Sequence, residues 1–320
     1  MQSPQTPADE KERLKTLHSL NILDTPPQER FDRLVRMAKR IFNVPIALVS
    51  LVDDKRQWFK ACIGLDATET SRDISFCGHT ILCRAPFIIT DARKDLRFAD
   101  NPLVTGPPHI VFYAGCPLHY GDGSAMGTLC IIDTRPRTLD DDELGLFKDL
   151  THLTERELAA THLATLDELT GVVNRRGFLT LAEKALTLSA RGHLSLVLAY
   201  FDLDSFKTIN DDFGHEEGDL ALKIFSQLMQ RCFRESDIVA RLGGDEFVVL
   251  LTNADETFAR ESISRFRSEL DQYNRQANKQ YNLTFSDGLA SVTAENPLSI
   301  AEMLKQADEQ MYHQKRNKAL

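Results

Sequence analysis

The chain has 320 residues, enough for two domains, with 42% hydrophobic and 27% charged residues, an ordinary globular balance. Its net charge of −9 divides into −3 for residues 1–160 and −6 for residues 161–320. That argues against a duplex DNA or RNA footprint, but leaves open a nucleotide whose charge is met locally by a metal ion.

No apolar run approaches the ~18 residues that span a bilayer, and the N-terminal stretch lacks the apolar core of a secretory signal. A soluble cytoplasmic protein is expected. Cys62, Cys77, Cys83, Cys116, Cys130 and Cys232 form no CxxC pair and read as buried reduced thiols.

In chain order, Ala8 to Leu20 predicts a helix, with Leu14, Leu17 and Leu20 on one side. Asp24-Thr25-Pro26-Pro27 sets prolines at the start of a second helix running to Phe42. Pro45–Val52, Gln57–Ile63, Pro86–Thr90, Phe112–Tyr120 and Met126–Asp133 read as strands, the last two joined at Gly121-Asp122-Gly123. Leu139–Leu166 returns to helix, with Leu139, Leu146 and Leu153 seven apart. Such a helix either lies on its own domain or pairs with its twin in a homodimer.

The second half interleaves helices at Arg176–Ser189, Ser205–Phe213, Gly218–Phe233, Ala254–Gln276 and Ser299–Lys318 with strands. The strands are Leu194–Asp202, Ile238–Leu242, Glu246–Leu251 and Asn282–Val292. A sheet with helices packed on it follows, an α/β (α+β) class.

Two segments there carry chemistry. Asp202 and Asp204 leave an apolar strand on one face; Asp204 fits a helix cap, whereas Asp202 fits a hard-cation ligand. Gly243-Gly244 between two apolar runs marks a hairpin, and Asp245-Glu246 lead straight back into a buried strand. If that hairpin lies beside the first strand, Asp202 and Asp245 converge on one cation, suggesting metal-assisted phosphoryl chemistry.

Gly243-Gly244-Asp245-Glu246-Phe247 resembles the signature of the GGDEF family, the diguanylate cyclases. Asp167-x-Leu169-Thr170-Gly171, Asn174-Arg175-Arg176, the ungapped block from Asp202 to Asp219, and Asp308 through Lys315 extend the resemblance over about residues 165–318. The resemblance implies a palm-like cyclase domain over 167–320 that condenses two GTP into cyclic di-GMP, releasing two pyrophosphates. It implies magnesium, with manganese as an alternative, on Asp202, Asp245, the Leu203 carbonyl and Glu246. Asp245 is the implied base, assisted by Glu246, with Lys207 at the phosphates or the transition-state charge. Asn210 and Asp219 would read guanine, with His215 nearby, Phe206 packing beneath, and Arg241 and Lys315 on phosphate. Arg234-x-x-Asp237 resembles the family's product-inhibition site, with Arg265 a helper. The family commonly closes with Lys-x-x-Gly-Arg-Asn, but Ala319 stands at the arginine here, so weakened GTP affinity is expected. No segment of the family's EAL-type hydrolase is found in these 320 residues, so product breakdown is not expected.

Residues 25–158 resemble a GAF sensor domain, through ILDTPPQERFD (22–32), PIALVSLVD (45–53), FYAGCPL (112–118) and GTLCIID (127–133). That implies an antiparallel sheet with helices on one side and a pocket for an unidentified ligand on the other; Trp58 and Phe59 line core or pocket. Residues 1–24 form an N-terminal helical segment and 159–166 a helical linker. Cys77 and His79 read as a buried thiol and a structural histidine rather than metal ligands. The alternative to an enzyme is a catalytically silent module that binds GTP or cyclic di-GMP as an interaction protein.

Overall fold

The computed structural model describes residues 1–121, 123–192, 195–277, 279–292 and 298–318. The chain divides into two compact units, Met1–Leu163 and Ala164–Leu320.

In the first unit, helices α1 (Glu10–Ser19) and α2 (Glu29–Ile41) precede strands β1 (Ile46–Val52), β2 (Arg56–Ile63), β3 (Glu69–Ser71), β4 (Phe87–Ile89), β5 (Phe112–Tyr120) and β6 (Ser124–Asp133). Short helices α3 (Phe76–Thr80) and α4 (Pro102–Thr105) interrupt them, and α5 (Asp141–Leu163) ends the unit. The sheet is antiparallel, in the order β3-β2-β1-β6-β5-β4. Central β1 is buried throughout, with Ser50 its one polar side chain, because both of its faces are covered. Ala47, Val49 and Leu51 pack with Leu17 of α1, Phe31 of α2 and Phe147 of α5. Ile46, Leu48 and Val52 pack on the other face with Phe59, Phe76, Phe98 and Tyr113.

That second face is where a ligand pocket was expected. Aromatic side chains fill it, leaving a cavity of about 30 Å³, room for one or two waters. Phe59 lines the cavity, whereas Trp58 belongs to the helix-side core. His79 packs on Phe98 with ring centroids 4.9 Å apart, and its Nε2 lies 3.0 Å from the Gln2 carbonyl oxygen. Asp122, at the expected β5–β6 turn, is outside the described residues, but β5 and β6 pair up to Tyr120 opposite Ser124.

Two expectations need correction. Helix α2 begins at Glu29 behind Gln28, not at the prolines. Pro27 excludes the helical region for Pro26, and the Pro26 carbonyl is taken by Lys60 instead. The strand β3 and helices α3 and α4 were not anticipated, being too short to show a period. On α5, Phe147, Leu150 and Leu158 are buried on the domain's own core, while Leu146 and Leu153 are 48% and 44% exposed. The helix therefore serves its own domain with one face and leaves part of the seven-residue row outward.

In the second unit, β7 (Val173–Asn174) and α6 (Arg175–Gly192) lead to β8 (Leu196–Leu203), α7 (Phe206–Phe213) and α8 (His215–Cys232). The hairpin β9 (Ile238–Gly243) and β10 (Glu246–Thr252) follows, then α9 (Glu256–Gln276), β11 (Phe285–Val292) and α10 (Ile300–Lys318). Strand order is β11-β8-β10-β9-β7, antiparallel except for the β7–β9 pair, which was not anticipated. Leu194, the expected first residue of β8, lies outside the described residues. Alternation along β8 divides two cores. Val197, Ala199 and Phe201 meet Phe225 of α8 and Phe266 of α9, whereas Leu196, Leu198 and Tyr200 meet Phe178 of α6 and Met303 and Ala307 of α10.

Lys60 is the unexpected core residue of the first unit, 2% exposed on β2. Its ammonium donates to the Thr25 hydroxyl at 2.7 Å and the Pro26 carbonyl at 3.0 Å, and lies over the rings of Phe31 and Trp58. Burial pushes it down to about 8, with the Asp32 charge opposing. The folded protein thus releases this proton before the unfolded chain does, so stability rises as pH climbs from about 8 toward 10.5, by about 3 kcal/mol at most. Urea titrations across that range should show the rise in the wild type and lose it in Lys60→Met; equal slopes would contradict the assignment.

Candidate functional site

Strand pairing builds the site. In the β8–β10 register Asp202 stands opposite Glu246, and cross-strand partners share a face, so both carboxylates rise on the side covered by α6 and α10. The chain enters β10 through the two-residue turn Gly244–Asp245, with Gly244 at φ +52°, a conformation glycine adopts without strain. The Leu203 N–H donates to the Asp245 carbonyl at 3.2 Å, which presses this turn against the end of β8. Asp202 and Asp245 are thereby brought together, as the sequence suggested.

The electrostatics report that proximity. Burial pushes the Asp202 carboxyl above the ordinary range, the Lys315 ammonium bonded to it pulls the other way, and the Asp245 charge adds to the rise. Tyr200, two residues earlier on the same face, is hydrogen-bonded to Glu246; burial and that charge push its phenol upward. Carboxylate oxygens are hard donors of the kind a small divalent cation takes; the Lys315 ammonium bonded to Asp202 supplies positive charge there but no lone pair for a metal. Among the described residues no three His, Cys, Asp or Glu side chains converge as a ready-made cage.

Asp204 corrects the cap expectation. Residue Ser205, at φ +56°, precedes α7 and no side chain caps it. The Asp204 carboxylate instead accepts from Lys318 at 2.9 Å and from the Ser286 hydroxyl at 2.7 Å. Burial would raise its carboxyl; those two donors outweigh it and hold it below the ordinary range.

The α7–α8 corner gathers another group. Lys207 is exposed on the first turn of α7, and Phe206 is half-buried against the core. A Cβ at Gly218 would collide with the Asn210 carboxamide oxygen, so glycine there lets Asn210 nest against α8. Asp219 follows at once and is exposed, as is His215 at the first turn of α8. Glu217 beside them is bound to Lys279 and to the Tyr281 hydroxyl, at 2.6 and 2.7 Å.

Two other groups are engaged inside the fold. The Arg241 guanidinium donates to the Gly244 carbonyl at 2.7 and 3.0 Å and to the Asp167 carboxylate at 3.0 Å, so it clamps the turn to the start of the domain. Burial raises the Asp167 carboxyl, but Thr170 and Arg241 outweigh it and hold it low. The Asp237 carboxylate turns inward, accepting from the backbone N–H of Arg234 at 2.9 Å and of Thr252 at 3.2 Å. Arg234 itself is exposed, its guanidinium 3.9 Å above the Phe258 ring, while Arg265 donates to the Cys232 carbonyl at 2.5 Å.

Sequence reasoning named Asp167 only as a motif residue, with no role, and missed Tyr200 and the Lys318 partner of Asp204. Local signals for these contacts are weak, since each partner lies far away in the chain. Gly288, inside a strand, was the available clue to α10: a Cβ there would run into the Ala307 carbonyl oxygen and the Met311 amide. Ala319 is outside the described residues.

Comparison with known proteins identifies both halves. Residues 26–158 match the GAF domain model, and residues 164–319 match the model described as diguanylate cyclase, GGDEF domain. Cyclic di-GMP phosphodiesterase PA2567 of Pseudomonas aeruginosa is 39% identical over 205 residues, covering 62% of this chain and 34% of that protein. Diguanylate cyclase DgcP of Escherichia coli is 30% identical over 231 residues, 65% of each. The chain thus spans a third to just under two thirds of these relatives' lengths. The coiled coil and GGDEF domain of DgcB from Caulobacter crescentus, solved with c-di-GMP, shares the fold at 24% identity and a TM-score of 0.50. The match covers 54% of this chain and 92% of that one. The chain belongs to the GGDEF family, as a GAF domain followed by a GGDEF domain.

Proposed function

We propose that the GGDEF domain condenses two GTP molecules into cyclic di-GMP with release of two pyrophosphates. The observation that carries this reading is the approach of Asp202 and Asp245 at the end of β8, a half-buried like-charge pair that recruits a cation. Asp202, Asp245, the Leu203 carbonyl and Glu246 would hold magnesium or manganese, which supplies charge neutralisation on the triphosphate. Asp245, at the tip of the turn, takes the proton of the attacking 3′-hydroxyl as its oxygen bonds to phosphorus and pyrophosphate leaves. Lys207 meets the charge that develops on phosphate. Asn210 and Asp219 read the guanine edge, the carboxylate accepting its N–H groups, with His215 beside them and Phe206 supporting the corner. Arg241 contributes by fixing the turn, and Lys315 exchanges its carboxylate partner for phosphate when nucleotide enters.

The reaction joins two substrates, so the reading includes a homodimer; the outward Leu146 and Leu153 of α5 support pairing. It also includes regulation by the GAF domain through an unidentified ligand, in the cytoplasm, with no DNA or RNA partner. No helix among the described residues is long and apolar enough to cross a membrane. Product inhibition enters through Arg234, whose exposed guanidinium suits a phosphate or guanine of cyclic di-GMP. Arg265 and Asp237 shape that corner through their backbone bonds.

A second reading, a silent module that only binds GTP or cyclic di-GMP, is favoured by the missing arginine at Ala319 and by the lysines already seated on Asp202 and Asp204. Purified protein with GTP and magnesium decides between them. The cyclase reading expects cyclic di-GMP, reduced about 10²-fold or more in Asp245→Ala; nucleotide binding without product from the wild type contradicts it. Product inhibition has its own check. Arg234→Ala should escape inhibition by added cyclic di-GMP while keeping its stability within about 1 kcal/mol. Asp237→Ala should lose about 1–3 kcal/mol in urea, because two backbone N–H groups lose their acceptor. An Arg234→Ala protein that stays fully inhibited would refute that role.

A further inference from the structure

The GAF domain holds a second cluster of reactive side chains, on the sheet face away from α1, α2 and α5. Cys77 lies on α3 and Cys130 on β6, both buried, with their sulfurs 3.8 Å apart. Hydroxyl groups surround the first sulfur. Thr128 donates to it at 3.0 Å and Tyr113 at 3.3 Å, with the Ser50 hydroxyl 3.1 Å from that of Thr128. Tyr113 is positioned in turn: its phenol lies 2.7 Å from the Thr80 hydroxyl, and Gly115 leaves the space that a Cβ would take from it. A thiol that merely fills an apolar core needs none of these donors.

The cage separates the two sulfurs chemically. Burial favours the neutral thiol, but donors led by Cys130, then Ser50, Thr128 and Tyr113, draw Cys77 down to about 7. Burial pushes Cys130 well up, and the neighbouring Cys77 adds to the rise. Of the two sulfurs, Cys77 is the one its surroundings shift toward the thiolate. Cys77 also borders the cavity of about 30 Å³, together with Gln57, Phe59 and Tyr113. That space admits a molecule the size of one or two waters and nothing as large as a peptide thiol.

We propose that Cys77 and Cys130 are a peroxide-reactive dithiol inside the GAF domain, with Cys77 the attacking and Cys130 the resolving thiol. Cys77 thiolate attacks one oxygen of hydrogen peroxide; the O–O bond breaks, a sulfenic acid forms, and the departing hydroxide takes a proton to leave as water. Cys130 then attacks the Cys77 sulfur, its thiol proton leaving with the sulfenic oxygen as a second water. Two thiols and one peroxide give a disulfide and two waters. Forming the bond requires the sulfurs to close from 3.8 Å to about 2 Å. The proposal stands apart from the cyclase reading, because it uses only residues of the first unit.

Its distinguishing feature is selectivity against exposure. Cys62 and Cys83 are more exposed, yet burial pushes both thiols up, and each donates to a backbone carbonyl, Leu65 for Cys62 and His79 for Cys83. The test treats the full chain with stoichiometric hydrogen peroxide, blocks remaining thiols in denaturant, and maps non-reduced peptides by mass spectrometry. The expected result is a linked Cys77–Cys130 pair, with the thiol titre falling by two from six. In Cys130→Ser, removing excess peroxide with catalase and then adding dimedone together with denaturant should instead label Cys77. Consumption of Cys62 or Cys83 first, or a pair that remains two free thiols, would overturn the proposal; the wild-type map decides even if the variant fails to fold.

Discussion

Two carboxylates held at the end of a buried strand set the terms for the second domain. Asp202 lies within an eight-residue strand that is buried throughout, and the tip of the β9–β10 hairpin brings Asp245 to its end. Negative charges crowded into a half-buried place are unstable without a cation beside them. Lys315 meets that demand from α10, one turn before the helix ends. Every element that fixes the hairpin, including the Arg241 clamp to Asp167, therefore also fixes how strongly the site attracts positive charge.

Helix α10 can supply that lysine because it lies against the edge strand β11. Gly288 removes the side chain that would hold the helix away. Gln314 accepts from the Asp287 N–H at 2.6 Å and Gln310 from that of Leu289 at 3.3 Å, so the helix also satisfies backbone groups on an otherwise open sheet edge. Lys318 continues the row, bonding Asp204 and the Phe285 carbonyl. Edge protection, helix placement and counter-charge are one device, and a change at any of the three is felt by the other two.

Long strands and amphipathic helices were legible because their signals are local. Apolar runs marked β1, β8 and β10 within two residues, and Gly-Gly before two acids marked the turn. Elements of two to five residues, such as β3, β7, α3 and α4, carry too little periodicity to be read. Ion pairs failed for a different reason. Asp204 looked like a cap from its neighbours, yet Lys318, 114 positions away, decides its role. Arg241, expected on phosphate, is engaged by Asp167 at a separation of 74. The Cys77–Cys130 proximity is likewise invisible in the chain, where 53 positions separate them. Residue type told which chemistry was available; the register of β8 against β10 told which groups meet.

The central claim is that the Asp202–Asp245 end of β8 is a cation site. Manganese titration of the full protein, followed by electron paramagnetic resonance of the free ion without nucleotide, addresses it directly. The account predicts saturable binding by the wild type that is lost in Asp202→Asn, a variant that keeps the shape and removes the charge. Equal manganese affinity in the wild type and Asp202→Asn would contradict it.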